Sequence, residues 1–434
     1  MGLSYSRFFR KAVALNFFYP FGLWLGIFVL TMPAARLHAE DDAGVLVAPA
    51  PLAFPLERPL APPPPPPWAQ GRPESMLSAA LAPYPPSSGQ SVAGKLDRLK
   101  LPPGFVIQLW AEGLTGARSM TLGANNTLFV GSRDAGVVYT VTEKEGQRVV
   151  KKLLTGLDRP TGVVFAEGRL YVAQQQSILK YEKIEDSLET PPAPSVIFDA
   201  LPPEQFGPGK YLAMGPDGNL YLGLGADCNI CVPLDTQAQI VRINPQTGVL
   251  ETVAKGVRQS VGLTFHPLSK ELWFSQLSRD WMGDDVPADT LHRVNRKGAH
   301  MGYPYCHQGE ILDPVYGKGR GCGEFVAPTV KFEAHASPMG LSFYTGKMFP
   351  PDYKNRLIVA MHGSWNRTQK AGFNLMQLSF DATGKLIRWE PFVEGWLEAE
   401  QFWGRPTDLL VMPDGALLVS DDYAGVIYKI SYKR

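Results

Sequence analysis

The sequence predicts an all-β fold, a six-bladed β-propeller, on the basis of three observations. A short pattern of leucine, aromatic and valine residues returns six times between residues 97 and 434. Within each copy, apolar and polar residues alternate with the period of two that is typical of β-strands. Glycine and proline are abundant, with 43 and 39 residues, which indicates many turns. Repeated units of several short strands are typical of propeller blades.

The six copies are aligned by a shared leucine, which lies at positions 128, 170, 220, 272, 357 and 417. Residues 104–109 precede the first copy, and we expect them to supply the outer strand that closes the ring. A β-sandwich is the structural alternative. It explains neither the number of copies nor their regular return.

Charge and composition limit the functions that the chain could have. The 434 residues include 42 basic and 41 acidic side chains, which gives a formal net charge of +1. Such a balance provides no field that would attract nucleic acid or an anionic membrane surface. The hydrophobic content of 45% is sufficient for a packed core. We therefore expect no nucleic-acid partner.

Residues 1–40 have the order of a secretory signal. Arg7, Arg10 and Lys11 precede an apolar run at residues 12–32, and small residues follow it. The run is also about long enough to span a bilayer as a helix of ~20 residues. The segment is therefore either a cleaved signal peptide or an anchor that tethers the protein to the inner membrane. Both readings predict export of the bulk of the chain, with the basic side left in the cytoplasm.

Residues 41–96 form a proline-rich segment that includes the unbroken run from Pro62 to Pro67. Such a composition favours extended polyproline conformation and packs no core. We expect a disordered linker between the N-terminal segment and the propeller at residues 97–434. A ligand for a proline-reading domain is the alternative function of this stretch.

The four cysteines are expected to form two disulfides, because export exposes thiols to an oxidising compartment. Cys306 and Cys322 lie in an insertion at residues 296–331, between the fourth and fifth copies of the repeat. Cys228 and Cys231 are only three residues apart. They form no haem attachment site, since Val232 stands where a histidine would be needed. A zinc site would require a second pair of ligands, for which the Cys306-His307 dipeptide is weak evidence.

Six separate segments resemble the glucose/sorbosone dehydrogenase family, and the L-sorbosone dehydrogenase type is the most similar. They are LPPGF (101–105), ADCNIC (226–231), RDWMGDDVPADTLHRV (279–294), GYPYCHQGEILDP (302–314), MHGSWNR (361–367) and GRPTDLLVMPDGALLVSDDYAGVIYKI (404–430). These segments follow the family order and extend through nearly all of residues 97–434. The resemblance implies a six-bladed propeller, usually periplasmic, that binds pyrroloquinoline quinone (PQQ) and calcium on its axis. It also implies oxidation of a sugar or a sugar-derived aldehyde, with electrons passing to an unidentified acceptor.

The resemblance identifies four candidate residues for binding PQQ. Arg258 matches the arginine that reaches a quinone oxygen, and Gln259 stands where the family usually has asparagine. Arg405 matches an arginine that holds the cofactor carboxylates. Arg367, in the HGSWNR segment, is a further candidate cation. Cations opposite the quinone oxygens would stabilise the charge that develops there.

The resemblance also identifies a candidate calcium site in the loop at residues 279–285. Its expected ligands are the backbone carbonyls of Arg279 and Asp280 and the side chain of Asp285. Oxygen ligands on a glycine-containing loop suit a hard cation with flexible coordination. From the residues alone, the alternative is an exposed turn whose aspartates are solvated.

The catalytic histidine of the family is missing from its usual place. The corresponding stretch, residues 204–211, reads EQFGPGKY. Since a positioned base typically contributes 10²–10⁴-fold to a rate, another group would have to replace it. Glu204 and His362 are the candidate catalytic residues, and Asp421 is a further possibility. Two classes of function therefore remain open: a PQQ-dependent dehydrogenase with an altered base, and a non-catalytic propeller that binds a ligand or partner.

Overall fold

The computed structural model describes residues 91–204 and 207–433. The predicted signal or anchor at residues 1–40 lies outside the described residues, and so does nearly all of the linker predicted at residues 41–96. The described chain contains 29 β-strands and four short 3-10 helices, Ala93–Arg98, Ile184–Ser187, Cys322–Glu324 and Pro351–Tyr353. In this part of the chain, no helix has the length and apolar character needed to cross a membrane.

The strands form six antiparallel sheets of four main strands each, which are the blades of a β-propeller. Blade one contains β2 (Met120–Leu122), β3 (Leu128–Val130), β4 (Val138–Lys144) and β5 (Gln147–Leu154). Blade two contains β6 (Gly162–Ala166), β7 (Arg169–Ala173), β8 (Ile178–Tyr181) and β9 (Ser195–Phe198). Blade three contains β10 (Ala213–Met214), β11 (Leu220–Leu224), β12 (Gln239–Ile243) and β13 (Leu250–Lys255).

The remaining three blades repeat this order. Blade four contains β14 (Leu263–Phe265), β15 (Leu272–Gln276), β16 (Ala288–Arg293) and β20 (Val330–Ala334). Blade five contains β21 (Pro338–Phe343), β22 (Leu357–Met361), β23 (Asn374–Phe380) and β24 (Leu386–Val393). Blade six contains β27 (Pro406–Val411), β28 (Leu417–Asp421), β29 (Val426–Tyr432) and β1 (Phe105–Glu112). The six-bladed fold predicted from the sequence is confirmed.

The ring is closed by a strand from the start of the propeller. β1 pairs with the C-terminal strand β29 in a register that runs from Phe105 opposite Tyr432 to Glu112 opposite Val426. This is the strand expected from residues 104–109. This pairing covers the edge of β29, so that β1 becomes the outer strand of blade six.

The shared leucine of the repeat occupies the second strand of every blade. All six of these leucines are buried: Leu128, Leu170, Leu220, Leu272, Leu357 and Leu417. Apolar side chains of adjacent blades pack together, as Phe129 of blade one does with Leu170 of blade two. Burial of apolar area of this kind stabilises the ring by roughly 25 cal/mol per Å².

The insertion in blade four reaches back to blade three. Its strand β17 (Ala299–His300) pairs in parallel with β13, and a small hairpin follows, formed by β18 (Cys306–His307) and β19 (Ile311–Leu312). A second small hairpin, β25 (Leu397–Glu398) with β26 (Gln401–Phe402), lies between blades five and six. Both predicted disulfides are present, Cys228–Cys231 and Cys306–Cys322.

Candidate functional site at one end of the propeller

Buried polar side chains gather at one end of the ring. This end, the mouth, consists of the segments that precede the innermost strand of each blade and those that follow the second strand. Neighbouring strands are antiparallel, so the start of one and the end of the next lie at the same edge. The buried polar residues here include Arg118, Arg133, Gln175, Lys210, Arg258, Gln259, Ser260, Arg279, Asp280, His362, Arg405 and Asp421. A polar group away from water requires partners, so this concentration indicates a functional end.

Three residues from three blades meet at one carboxylate in the mouth. Asp422 follows β28, His362 follows β22, and Arg118 precedes β2. His362 Nε2 lies 2.8 Å from Asp422 Oδ1, and Arg118 Nη2 donates to Asp422 Oδ2 at 2.7 Å. The ion pair is almost fully buried, with side-chain exposures of 2% for Arg118 and 9% for Asp422. We call these three residues the His362 cluster.

Burial and neighbouring charges fix the ionisation of the His362 cluster. Burial, the largest effect, and the nearby Arg405 guanidinium lower the pKa of His362 to about 4, although Asp422 opposes them. Burial alone would raise the pKa of Asp422, but the hydrogen bond from His362 and the charges of Arg118 and Arg405 outweigh it and hold that pKa well below its usual range. At neutral pH the cluster therefore contains a neutral imidazole beside a carboxylate.

Arg405 holds the loop that carries His362. Its Nε donates to the backbone carbonyl of His362 at 3.1 Å, and its Nη2 donates to the carbonyl of Gly363 at 2.6 Å. The guanidinium also lies over the rings of Phe373 and Phe402, 5.4 Å from each ring centre. A guanidinium fixed by two hydrogen bonds and two aromatic faces is a preorganised cation.

A second cluster forms around Arg258 on the blade-four side of the mouth. Arg258 Nη2 pairs with Asp280 Oδ2 at 3.2 Å, and its Nη1 donates to the carbonyl of Ser278 at 2.8 Å. Its Nε donates to the carbonyl of Asn229 at 2.9 Å. We call Arg258, Asp280 and Asn229 the Arg258 cluster.

Asp280 joins the two clusters through the loop after β22. Asn366 Nδ2 donates to Asp280 Oδ1 at 2.6 Å, and Asn366 lies four residues after His362 in the same loop. The ring of His335 lies 3.6 Å from the same oxygen. Burial raises the pKa of Asp280, but His335 and Arg258 outweigh it and hold that pKa below its usual value. Burial lowers the pKa of His335, but Asp280, the charge of Asp289 and the hydrogen bond to Gly283 together outweigh it, so the net shift is upward.

Hydrogen bonds from its own loop and from the segment after β11 hold the Glu204 side chain in place. Its Oε1 accepts a hydrogen bond from Lys210 Nζ at 2.8 Å and another from the amide of Gly225 at 2.7 Å. Both partners of the Glu204–Lys210 ion pair are buried. A Cβ at Gly207 would lie 2.2 Å from Glu204 Oε2, so this carboxylate fills the space that a side chain at position 207 would need. Both hydrogen bonds are accepted by the same oxygen, Oε1, which holds the carboxylate in place.

The predicted calcium ligands lie in contrasting environments. The buried Arg279 donates to Asp313 at 2.6 Å and to the carbonyl of Asp280 at 3.1 Å. The Asp285 side chain is 86% exposed and pairs with Arg367 at 3.1 Å. Across the described residues, no group of three or more histidine, cysteine or acidic side chains could hold a metal ion. The calcium site therefore stays a prediction that rests on backbone carbonyls.

Three buried oxygen atoms at the mouth have no hydrogen-bond partner among the described residues. They are Gln175 Oε1, Ser260 Oγ and Asn366 Oδ1. An unsatisfied buried polar atom costs about 1–3 kcal/mol, so water or a bound ligand is expected to satisfy them. Gln175 Oε1 and Asn366 Oδ1 can only accept a hydrogen bond, whereas the hydroxyl of Ser260 can also donate one. The buried guanidinium groups are therefore the part of the mouth that suits PQQ, which carries carboxylates and quinone oxygens.

The structure brings together most of the residues proposed from the sequence and adds others. Arg258 meets Asp280, and Arg405 meets the His362 loop, whereas Arg367 pairs with Asp285 at the exposed edge. Sequence reasoning missed Arg118, Asn229, His335, Asn366 and the role of Asp422. One signal was available for Asp422, because it lies five residues after the shared leucine, as His362 does in its own blade.

Comparisons with known proteins agree with this fold. The sequence profile of the family described as TrAA12-like matches residues 317–433. An uncharacterized protein of Borreliella burgdorferi is 29% identical over 350 residues, which cover 77% of this chain and 91% of that protein.

Two solved structures share the propeller at low sequence identity. One is the calcium structure of the AA12 carbohydrate-active enzyme of Trichoderma reesei, with a TM-score of 0.69 and 19% identity over 77% of this chain and 97% of the other. The second is the holo form of the PQQ domain of pyranose dehydrogenase from Coprinopsis cinerea. It has a TM-score of 0.65 and 19% identity over the same shares of the two chains. The structural neighbours are thus sugar oxidoreductases built on a six-bladed propeller, as the resemblance implied.

Proposed function

We propose that this chain is a PQQ-dependent oxidoreductase that acts on a sugar or a sugar-derived aldehyde, of the sorbosone dehydrogenase type. The observation that carries the proposal is the His362 cluster, in which a neutral histidine, a carboxylate and an arginine from three blades meet at the mouth. Arg405 and the Arg258 cluster place further buried cations at the same end. Convergent polar groups with perturbed pKa values are typical of active sites.

The cofactor would be held by cations from opposite sides of the mouth. Arg405 and Arg118 lie beside His362, and Arg258 lies across the loop that ends at Asn366. Each of these guanidinium groups is already oriented by protein acceptors, so little side-chain entropy would be lost on binding an anion. Gln259 is buried next to Arg258 and offers an amide to the same ligand. Bound PQQ would supply the two-electron acceptor for oxidation of a substrate hydroxyl or hydrated aldehyde.

His362 is the group best suited to accept the substrate proton. Its Nε2 lies against Asp422, so that nitrogen carries the hydrogen and Nδ1 carries the basic lone pair. Asp422 would then balance the charge of the imidazolium once the proton arrives. Glu204, the other candidate base, is held by Lys210 in a buried ion pair. The geometry therefore favours His362.

An exposed tryptophan in the mouth suits a sugar substrate. Trp365 lies in the same loop as His362 and is 42% exposed, while its neighbours Ser364 and Asn366 are buried. An exposed indole ring beside polar groups offers an apolar face to the C–H side of a sugar ring, with hydrogen bonds around it. We include calcium in the proposal only as a cation that backbone carbonyls near Asp280 would bind.

The location that we propose is the periplasm, with the propeller either released or tethered through residues 12–32. Two disulfides in the described chain support an oxidising compartment. Cell fractionation of the full chain tests this part of the proposal. A protein found in the cytoplasm with reduced cysteines would contradict it.

The activity test adds PQQ and calcium to the purified full chain and follows reduction of an artificial electron acceptor. Aldoses, sorbosone and simple alcohols are compared as substrates. We expect turnover with at least one sugar-derived substrate and its loss in Asp422→Asn. Failure of every substrate with PQQ demonstrably bound would refute the enzymatic proposal.

A non-catalytic binding propeller is the second candidate function. It is favoured by the loop after Glu204, which contains no histidine and in which Gly207 has no space for a side chain. This candidate predicts PQQ or sugar binding with no acceptor reduction. The same assay therefore separates the two functions.

A further inference from the structure

Asn229 lies between the two cysteines of a disulfide and makes four hydrogen bonds to the other two residues of the Arg258 cluster, Arg258 and Asp280. Its backbone carbonyl accepts from Arg258 Nε at 2.9 Å, and its Oδ1 accepts from Arg258 Nη2 at 3.1 Å. The same Oδ1 accepts from the amide of Asp280 at 2.7 Å, and its Nδ2 donates to the Asp280 carbonyl at 3.0 Å. One residue thus orients both the guanidinium of Arg258 and the backbone of Asp280.

The Cys228–Cys231 disulfide closes the short turn that carries Asn229. This turn contains no strand, so no sheet hydrogen bonds hold it. Tyr303 of the insertion supports the turn from one side. Its hydroxyl lies 3.1 Å from Cys228 Sγ and accepts from the amide of Cys231 at 3.2 Å. Opening the disulfide would return conformational freedom to a turn whose order depends on a few contacts.

The two disulfides differ in exposure. In the first disulfide both Cys228 and Cys231 are partly exposed. In the second, Cys322 is partly exposed but Cys306 is buried, with 2% of its surface exposed. A thiolate must reach a sulfur to exchange with a disulfide, so access controls the rate. We therefore expect a reductant to open Cys228–Cys231 before Cys306–Cys322.

We propose that Cys228–Cys231 is a redox-responsive disulfide and that Asn229 is the positioning residue through which it holds Arg258. The inference rests on the proposed function, in which Arg258 binds the cofactor. In the reaction, a dithiol attacks one sulfur, and its second thiol releases the mixed disulfide. Two cysteine thiols and one oxidised dithiol result, so atoms and electrons balance. Reduction frees the turn, Asn229 leaves Arg258, and the affinity for PQQ falls.

The first experiment needs no cofactor. The full chain is treated with increasing dithiothreitol, free thiols are alkylated and identified by mass spectrometry, and backbone hydrogen exchange is measured in parallel. We expect Cys228 and Cys231 to be alkylated first. We expect exchange of the Cys231 and Asp280 amides to increase at the same reductant concentration. The Cys231 amide belongs to the turn and bonds to Tyr303, and the Asp280 amide bonds to Asn229 of the turn. Reduction of this disulfide with unchanged exchange at Asp280 would overturn the proposal, as would earlier reduction of Cys306–Cys322.

The second experiment measures PQQ affinity in variants by equilibrium dialysis. Asn229→Leu and the double variant Cys228→Ser/Cys231→Ser should each bind about tenfold more weakly, which corresponds to ~1.4 kcal/mol. Asn229→Asp keeps the acceptor for Arg258 and should retain most of the affinity. Asn244→Leu is the matched control, since Asn244 caps a turn of the same blade through the amides of Gln246 and Thr247.

The two experiments separate this inference from the proposed function. If wild-type protein binds no PQQ but hydrogen exchange responds to reduction as expected, the proposed function fails and the redox-responsive turn stands. If PQQ binds equally well to wild type, Asn229→Leu and the double cysteine variant, the positioning role of Asn229 is refuted while the proposed function survives. Equal weakening by Asn244→Leu would also refute it, because the effect would then be general.

Discussion

His362 shows how burial sets the protonation state of a candidate base. It is completely buried, yet it lies beside a carboxylate that two cations hold in the ionised form. A histidine with its usual pKa near 6.5 would be partly charged at neutral pH. Here the ring stays neutral, which leaves one nitrogen able to accept a proton.

The titration of His362 is the first prediction at this scale. In the full chain without cofactor, NMR titration of the imidazole protons should give a midpoint near 4 for this ring, because its pKa is lowered to about 4. The His362→Gln variant identifies the signal. A midpoint near 6.5 would show that the ring is solvated and would contradict its assigned environment.

The lowered pKa of His362 also predicts how the stability of the fold changes with pH. The folded-state pKa of His362 lies below its unfolded value of 6.5, so this group stabilises the fold fully above pH 6.5. That contribution is lost as the pH falls from 6.5 towards 4. The carboxyl of Asp408, whose pKa burial raises to about 6, acts in the opposite direction. Denaturant unfolding of wild type and His362→Gln at each pH isolates the histidine, and equal pH dependence in both proteins would contradict the prediction.

Catalysis gives the third prediction. His362→Gln should lower kcat by roughly 10²–10⁴-fold, the usual contribution of a positioned base, with little change in PQQ affinity. His266→Gln is the control, since His266 lies in a turn where its ring contacts Ser269. A His362→Gln enzyme with wild-type kcat would transfer the role of base to another residue.

At the scale of elements, the loop after β9 determines what Glu204 can do. Glu204→Gln leaves Lys210 buried without its counter-charge, which should cost about 3–5 kcal/mol of unfolding free energy. The double variant Glu204→Gln/Lys210→Met removes both charges and should recover most of that stability. Chemical denaturation measures both effects.

The double variant also decides between the two candidate bases. We expect the double variant to keep its activity, because His362 accepts the proton. The Glu204–Lys210 ion pair then has only a structural role in its loop. A folded double variant without activity would identify Glu204 as the base. If the double variant is no more stable than Glu204→Gln, the unpaired charge of Lys210 is not the reason for the loss of unfolding free energy.

The sequence predicted the second strand of each blade better than the innermost strand. The shared leucine lies in the second strand of every blade and therefore locates it. The innermost strands were missed because they do not contain this leucine, whether they are as short as β10 (Ala213–Met214) or as long as β27 (Pro406–Val411). These strands line the axis, so the side chains that precede them, such as Arg118, were missed with them.

At the scale of the whole molecule, closure of the ring depends on β1. A chain that starts at Val92 keeps β1 and should unfold cooperatively at the same Tm as the full chain. A chain that starts at Gly113 lacks the outer strand of blade six, exposes β29 and should fail to fold into a stable monomer. Circular dichroism and calorimetry compare the two. Equal stability would show that the N-terminal strand is dispensable.

The site needed the fold before it could be recognised. Arg258, Arg405 and His362 could be chosen from sequence because they lie in segments that resemble a known family. Asp422 is 60 residues from His362, and Arg118 is 304 residues from Asp422, so only the closed ring brings them into contact. Contacts between blades arise from tertiary packing, and no local pattern encodes them.

A crystal structure of the full chain soaked with PQQ shows most directly whether the mouth binds the cofactor. We expect one molecule in the mouth, in contact with the guanidinium groups of Arg118, Arg258 and Arg405. A mouth without PQQ at saturating concentration, or PQQ bound only elsewhere on the surface, would contradict the proposal that the mouth is a cofactor site.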